Sequence, residues 1–297
     1  MSASQAEIAS AFIGACLEEL EAPKPGNVHV FADGHGSSVA DFRRSAEVAA
    51  EPIAQLRASV GARILGAIEA TRAAVGQNTN LGIVLLCAPL ARAAELRAAR
   101  MQEAVAGVLA KLDIEDADLA FRAIALAAPA GLGRAERHDV SQRASVTLLE
   151  AMNEAAARDR IARQYATGFA DVFNLGSPSL EAASRRWPDC PAAATLSVYL
   201  GFLAAFPDTH IQRKHGLDAA IEVQREAAPL CALSQNADDP AELWERALLF
   251  DASLKQRRLN PGASADLTVA TLFVRRLRDL GLPDFSPDVL QSQRNND

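Results

Sequence analysis

Lysine is almost missing from this chain: of 297 residues only Lys24, Lys111, Lys214 and Lys255 are lysines, and the 30 basic groups fall short of the 37 acidic ones. The net charge is −7, so no protein-wide basic field draws in a nucleic-acid backbone or an anionic membrane surface. Aromatic residues make up only 5%. Cysteine is equally thin: Cys16, Cys87, Cys190 and Cys231 stand far apart, and no Cys-x-x-Cys pair occurs. That spacing excludes the usual zinc ribbon and a disulfide framework, and it reads as four small buried hydrophobes in a reducing compartment. The first residues, MSASQAEIAS, lack the basic start and apolar run of a secretory leader, so a cytoplasmic protein is expected. One long uncharged stretch, Cys190 to Pro207, approaches the length of a membrane span. Its prolines, Thr195, Ser197, Gly201 and many alanines point instead to a buried core helix.

What is abundant is alanine, about a fifth of the chain, well above ordinary usage. Small side chains let helices approach closely at little rotamer cost, which builds a core without aromatics. Apolar residues recur three and four apart almost everywhere, beginning with Ile8, Phe12, Ala15 and Cys16. The pattern predicts further helices over about 38–57, 60–75, 80–98, 101–112, 116–128, 142–157, 158–174, 189–205, 214–233, 240–258 and 264–280, with no convincing strand. Ser59, Asp116, Ser141 and Ser264 stand where N-caps belong. No fixed-period repeat is present. The expected fold is all-α: a single bundle-like domain over residues 1–280, followed by a polar tail over 281–297. Alanine-rich faces would also permit a homodimer.

Five polar segments depart from this background: 24–29, 76–82, 131–139, 206–216 and 260–267. Each is richer in glycine, amides and charge than helix termination requires, so they are expected to converge on one site. Lys24, Gly26 and Asn27 put a cation and an approachable backbone beside His29, a pattern that suits phosphate and also suits a helix C-terminus. Asn78, Thr79, Asn80 and Gly82 precede an apolar helix, whose start is a natural anion or ribose site. No Walker loop or dinucleotide fingerprint is present. Asp208, Thr209, His210, Arg213, Lys214 and His215 combine a carboxylate with phosphate partners, although Asp208 also fits an N-cap. Asn260, Gly262, Ser264 and Asp266 open the last helix, and Arg134, Arg137, His138 and Asp139 form the remaining cluster.

In order along the chain these motifs resemble those of the triphosphoribosyl-dephospho-CoA synthase family. The N-terminal block is Lys24-Pro25-Gly26 with the helix around Asp41 to Ser45. There follow Asn78-Thr79-Asn80-Leu81-Gly82, Gly131 to Arg134, Asp208-Thr209 with Arg213 to Gly216, and Asn260 to Leu267, so that the resemblance spans about 5–280. It implies an all-helical enzyme that joins the ribosyl carbon of ATP to a hydroxyl of dephospho-CoA and releases adenine. It also implies small-molecule nucleotide and cofactor-precursor substrates, and Mg²⁺ with the triphosphate. The same resemblance points to Lys24, Arg213 and Lys214 for phosphate and to Asn78, Thr79 and Asn80 for ribose or phosphate. Gly26, Asn27, Gly82, Arg134, Thr209, Asn260, Gly262 and Ser264 complete the binding set. Asp208 and Asp266 are expected as metal ligands or catalytic groups, and His29 as a catalytic group. Where the family reads Asn-Thr-His-Lys-Gly, Asn80-Leu81 replaces the histidine and lysine, as in its archaeal and methylotroph relatives. That departure leaves the acceptor open to a methanopterin-like or methanofuran-like cofactor precursor. Two other classes remain in view. His138-Asp139 with His29 or His35 and Asp208 or Asp251 loosely imitates a metal-dependent phosphohydrolase, and a nucleotide-binding protein without catalysis would keep the same loops.

Overall fold

Local capping signals decide where half of the described helices begin. Ser4, Ser38, Asp113 and Thr147 each accept a hydrogen bond from the backbone three residues on, and Glu7, Asp41, Asp116 and Glu150 return it. The computed structural model describes residues 3–34, 36–96, 100–129, 133 and 137–280. Among these, fourteen α-helices follow one another without a sheet: α1 Gln5–Leu20, α2 Val39–Ala54, α3 Val60–Val75, α4 Leu81–Ala94, α5 Met101–Leu109, α6 Ile114–Ala127 and α7 Leu148–Ala155. The second half comprises α8 Arg160–Thr167, α9 Ser177–Arg186, α10 Pro191–Ala205, α11 Thr209–His215, α12 Leu217–Asn236, α13 Ala241–Gln256 and α14 Gly262–Asp279. The fold is all-α. The expected tail over 281–297 lies outside the described residues.

Several expected boundaries shift for identifiable reasons. Asp116 is the third residue of α6 and answers the cap from Asp113. Thr147, not Ser141, caps α7. Ser264 lies inside the first turn of α14, which starts at Gly262. The helix expected over 158–174 stops at Thr167, because Gly168 and Phe169 take φ of 62° and 61°. A π-helical turn, Val172–Gly176, then leads into α9. The apolar periodicity misses α9 because only Ser177, Leu180 and Ala183 of its ten residues are buried. The helix expected from 214 begins at Leu217, after Gly216 at φ 92°, and the polar segment before it forms a short helix of its own, α11.

The buried apolar residues form one continuous cluster. Helix α10 is buried along Ala193–Leu203, as expected of a core helix, and no described helix is long and apolar enough to cross a membrane. Cys16 and Cys87 are buried, whereas Cys190 and Cys231 are only half-buried; all four are free thiols. The largest fully buried side chain is Arg63 on α3. Its Nη1 donates to the Ile53 carbonyl at 2.6 Å, its Nε donates to Ala58, and it pairs with Glu95. This one group ties the end of α2 to the end of α4. Arg63→Met is therefore expected to cost about 3 kcal/mol, because two carbonyls and a buried carboxylate lose their donor. Urea denaturation with an unchanged slope would check it.

Candidate active site

All five polar segments meet at one cavity of about 840 Å³. Its wall takes Asn27 from the first segment, Gln77 to Gly82 from the second, Arg137 to Asp139 from the third, Thr209, His210 and Gln212 to Lys214 from the fourth, and Asn260, Gly262, Ala263, Ala265 and Asp266 from the last. Apolar side chains line it as well, among them Phe121 and Ile124 of α6, Met152 of α7 and Ile161 of α8. The cavity therefore offers charge and hydrogen bonds together with apolar surface.

The start of α4 is built by its own loop. Asn78 Oδ1 accepts from the Leu81 N–H at 3.1 Å, Thr79 Oγ1 meets Ser45 Oγ at 2.6 Å, and Asn80 Nδ2 donates to Thr71 Oγ1 at 3.0 Å. These side chains fix the loop, while the next two N–H groups, of Gly82 and Ile83, have no partner among the described residues. Unpartnered donors at a helix start favour an anion. Gly82 is needed for a second reason, since a Cβ there would collide with the Asp266 carboxylate.

Asp266, in the first turn of α14, is half-buried on the cavity wall and makes no hydrogen bond within the described residues. Burial first, then the nearby acids Asp208, Glu19 and Asp159, push its carboxyl well above the usual carboxylate range, and Arg213 alone opposes them. Helix α11, tied to α14 through Asp208 and Ser264, supplies cations. Arg213 Nη1 lies 3.3 Å from Asp159 Oδ2. Lys214 is exposed at the rim, its ammonium drawn down by partial burial and by Arg213. Thr209 Oγ1 accepts from the Arg160 N–H at 3.1 Å, Asn27 Nδ2 donates to Asn260 Oδ1 at 2.8 Å, and Gly262 lies against the His210 ring.

Five expected site residues do not line the cavity. Asp208 is fully buried, and its carboxylate receives four donors: the N–H groups of His210 and Ile211 on one oxygen, and Ser264 N–H and Oγ on the other. It is a tie between α11 and α14 with no lone pair turned to a metal, and Ser264 is its other end. Lys24 is buried too, paired with Glu19 at 2.9 Å and donating to the Val28 carbonyl at 2.6 Å; burial pulls its ammonium down against the pull of Glu19. Gly26, at φ 78°, gives its N–H to Asp251, and a Cβ would fall 2.6 Å from the Leu259 carbonyl. His29 sits 3.2 Å from Asp251, which also holds Lys255 at 3.0 Å, so this trio fastens the loop after α1 to α13. Burial lowers the His29 imidazole below its ordinary value, with Asp251 opposing. Arg134 lies outside the described residues.

Among the wall residues that were not anticipated are Asp159 and Glu19. Asp159 caps α8 and holds Arg213, its signal being an acid directly before an amphipathic stretch. Glu19 ends α1, where an acid opposes the helix dipole and so needs another reason to be there; Lys24 supplies part of it. The phosphohydrolase pattern does not assemble. His138 lies 3.4 Å from Glu154 at the cavity, His29 belongs to the separate Asp251 trio, and His35 is outside the described residues. Among the described residues no group of three or more His, Cys, Asp or Glu side chains could hold a metal ion.

A helix start with N–H groups unpartnered among the described residues, two cations and an acid without a hydrogen bond there line one cavity, a combination suited to an enzyme acting on a phosphorylated small molecule. The chain belongs to the ATP:dephospho-CoA triphosphoribosyl transferase family, whose model matches residues 5–284, and is thus a transferase. Its fold is similar to the crystal structure of a protein described as a triphosphoribosyl-dephospho-CoA synthase from Archaeoglobus fulgidus. The two share 22% identity and a TM-score of 0.58, over 80% of this chain and 96% of that one. Among curated proteins none matches this chain.

Proposed function

We propose that residues 1–280 form one catalytic domain that moves the triphosphoribosyl group of ATP onto a hydroxyl of dephospho-CoA, releasing adenine. The observation that carries this reading is Asp266: a carboxyl without a hydrogen-bond partner among the described residues, lining the same cavity as the start of α4 and the cations of α11. Arg213 and Lys214 hold the triphosphate, and the α4 start with Asn78 to Asn80 holds the sugar and its first phosphate. Asn27, Thr209, Asn260 and Gly262 shape the wall around them. In the reaction the bond from the sugar carbon to the base nitrogen breaks with its electron pair on adenine. Asp266, whose proton affinity is raised by burial, gives its proton to the departing adenine, and the carboxylate so formed takes the proton of the acceptor oxygen as that oxygen attacks the carbon. Mg²⁺ would enter with the nucleotide and rest on its phosphate oxygens. Asp208, with both oxygens occupied, does not fit a cation, and Asp266 is kept for proton transfer.

The purified protein, incubated with ATP, Mg²⁺ and dephospho-CoA, should release adenine in step with loss of the acceptor. No adenine under these conditions sinks the proposal. Lys214→Ala should raise the KM for ATP roughly tenfold, or about 1.4 kcal/mol. Its rim position predicts an unchanged Tm, and an unchanged KM would remove Lys214 from the phosphate site.

A further inference from the structure

Helix α11 presents the cations of the cavity, yet only one of its side chains, Ile211, is buried. Seven residues with so little apolar contact do not fix their own position. Their anchorage is polar, and two of its ties come from adjacent residues at the start of α8: Asp159, which meets Arg213, and Arg160, whose N–H binds Thr209.

The Arg160 side chain is the centre of this arrangement although it does not line the cavity. Its guanidinium forks onto Asp171, with Nε to Oδ2 at 2.7 Å and Nη2 to Oδ1 at 2.8 Å. Its flat face lies 3.6 Å above the Phe206 ring, two residues before Asp208. Asp171 is brought there by the left-handed pair Gly168 and Phe169, and Gln164 Oε1 accepts its N–H at 3.2 Å. The first turn of α8, the segment entering the π-helical turn and the chain entering α11 thus close around one guanidinium. A fork and a stacking face at once are what arginine provides and lysine does not.

We infer that Arg160 is a positioning residue for the triphosphate, setting α11 through Phe206 and Thr209 so that Arg213 and Lys214 face the cavity. This rests on the transferase reading above. Binding of inorganic triphosphate, measured by calorimetry, tests the placement of α11 without turnover, and the KM values for both substrates test it during turnover. For Arg160→Lys we expect triphosphate affinity to fall and the KM for ATP to rise by roughly tenfold, the scale of a small misplacement of binding groups. The KM for dephospho-CoA and kcat at saturating ATP should stay close to the parent values. Phe206→Leu, which removes only the stacked ring, should shift the same two quantities in the same direction and stands in if Arg160→Lys fails to fold. Unchanged triphosphate affinity in both variants overturns the inference alone, as does an equal rise in both KM values with a lowered Tm, the mark of a merely structural role. A parent protein that binds no triphosphate overturns the site reading and this inference together.

Discussion

Asp266→Asn should lower kcat for adenine release by about 10²–10⁴-fold, the range of a lost proton-transfer group, while the KM for ATP moves little. The same substitution should raise Tm at neutral pH. Burial and three neighbouring acids hold this carboxyl above its ordinary range, so the folded chain keeps a proton that the unfolded chain has already released. From the usual carboxylate pKa up to the raised one, the native state binds more protons, and stability therefore falls as pH rises through that window. An amide does not titrate and removes that slope. Thermal unfolding of parent and variant across this window decides the matter, since an equal slope in both would show that Asp266 carries no such burden. Stability gained where activity is lost is the usual mark of a site kept strained for function.

Asp208→Ala, only two turns of chain away from the cations, should behave in the opposite way. It removes four hydrogen bonds from the N–H groups of α11 and from Ser264, and leaves those donors buried. A loss of about 3–5 kcal/mol is expected, a large part of a domain's usual stability margin. Activity should fall with it, because α11 and the first turn of α14 both lose their register. Urea denaturation reads the effect directly. A variant with unchanged midpoint but no turnover would move Asp208 from the scaffold into the chemistry.

Much of the fold could be read from spacing alone, because helices that bury one face repeat their apolar residues faithfully. Ile8, Phe12 and Ala15 announce α1, and Ser59 caps α3 as expected. Helix α9 escaped because it buries three small or isolated positions, and the break at Phe169 escaped because a non-glycine residue takes positive φ there. At the site, composition located the five segments and could not rank the residues within them. Asp208 and Asp266 look alike in a string of letters, and only packing shows that one is enclosed by donors and the other faces a cavity. Lys24 likewise reads as a phosphate ligand until Glu19, five residues earlier and one helical end away, is seen to hold it. Nothing in the sequence joins Asp159 and Arg160 to the site, since their partners Arg213, Thr209 and Asp171 come from separate parts of the fold.

The two free N–H groups at the start of α4 give the cavity a property that side chains could not. A positive potential carried by the main chain does not titrate, is not removed by modification of lysine, and survives nearly every single replacement. The recognition of an anion can therefore stay constant while the facing side chains drift. A chain poor in lysine can keep its nucleotide in this way and still change, residue by residue, the partner to which the sugar is joined.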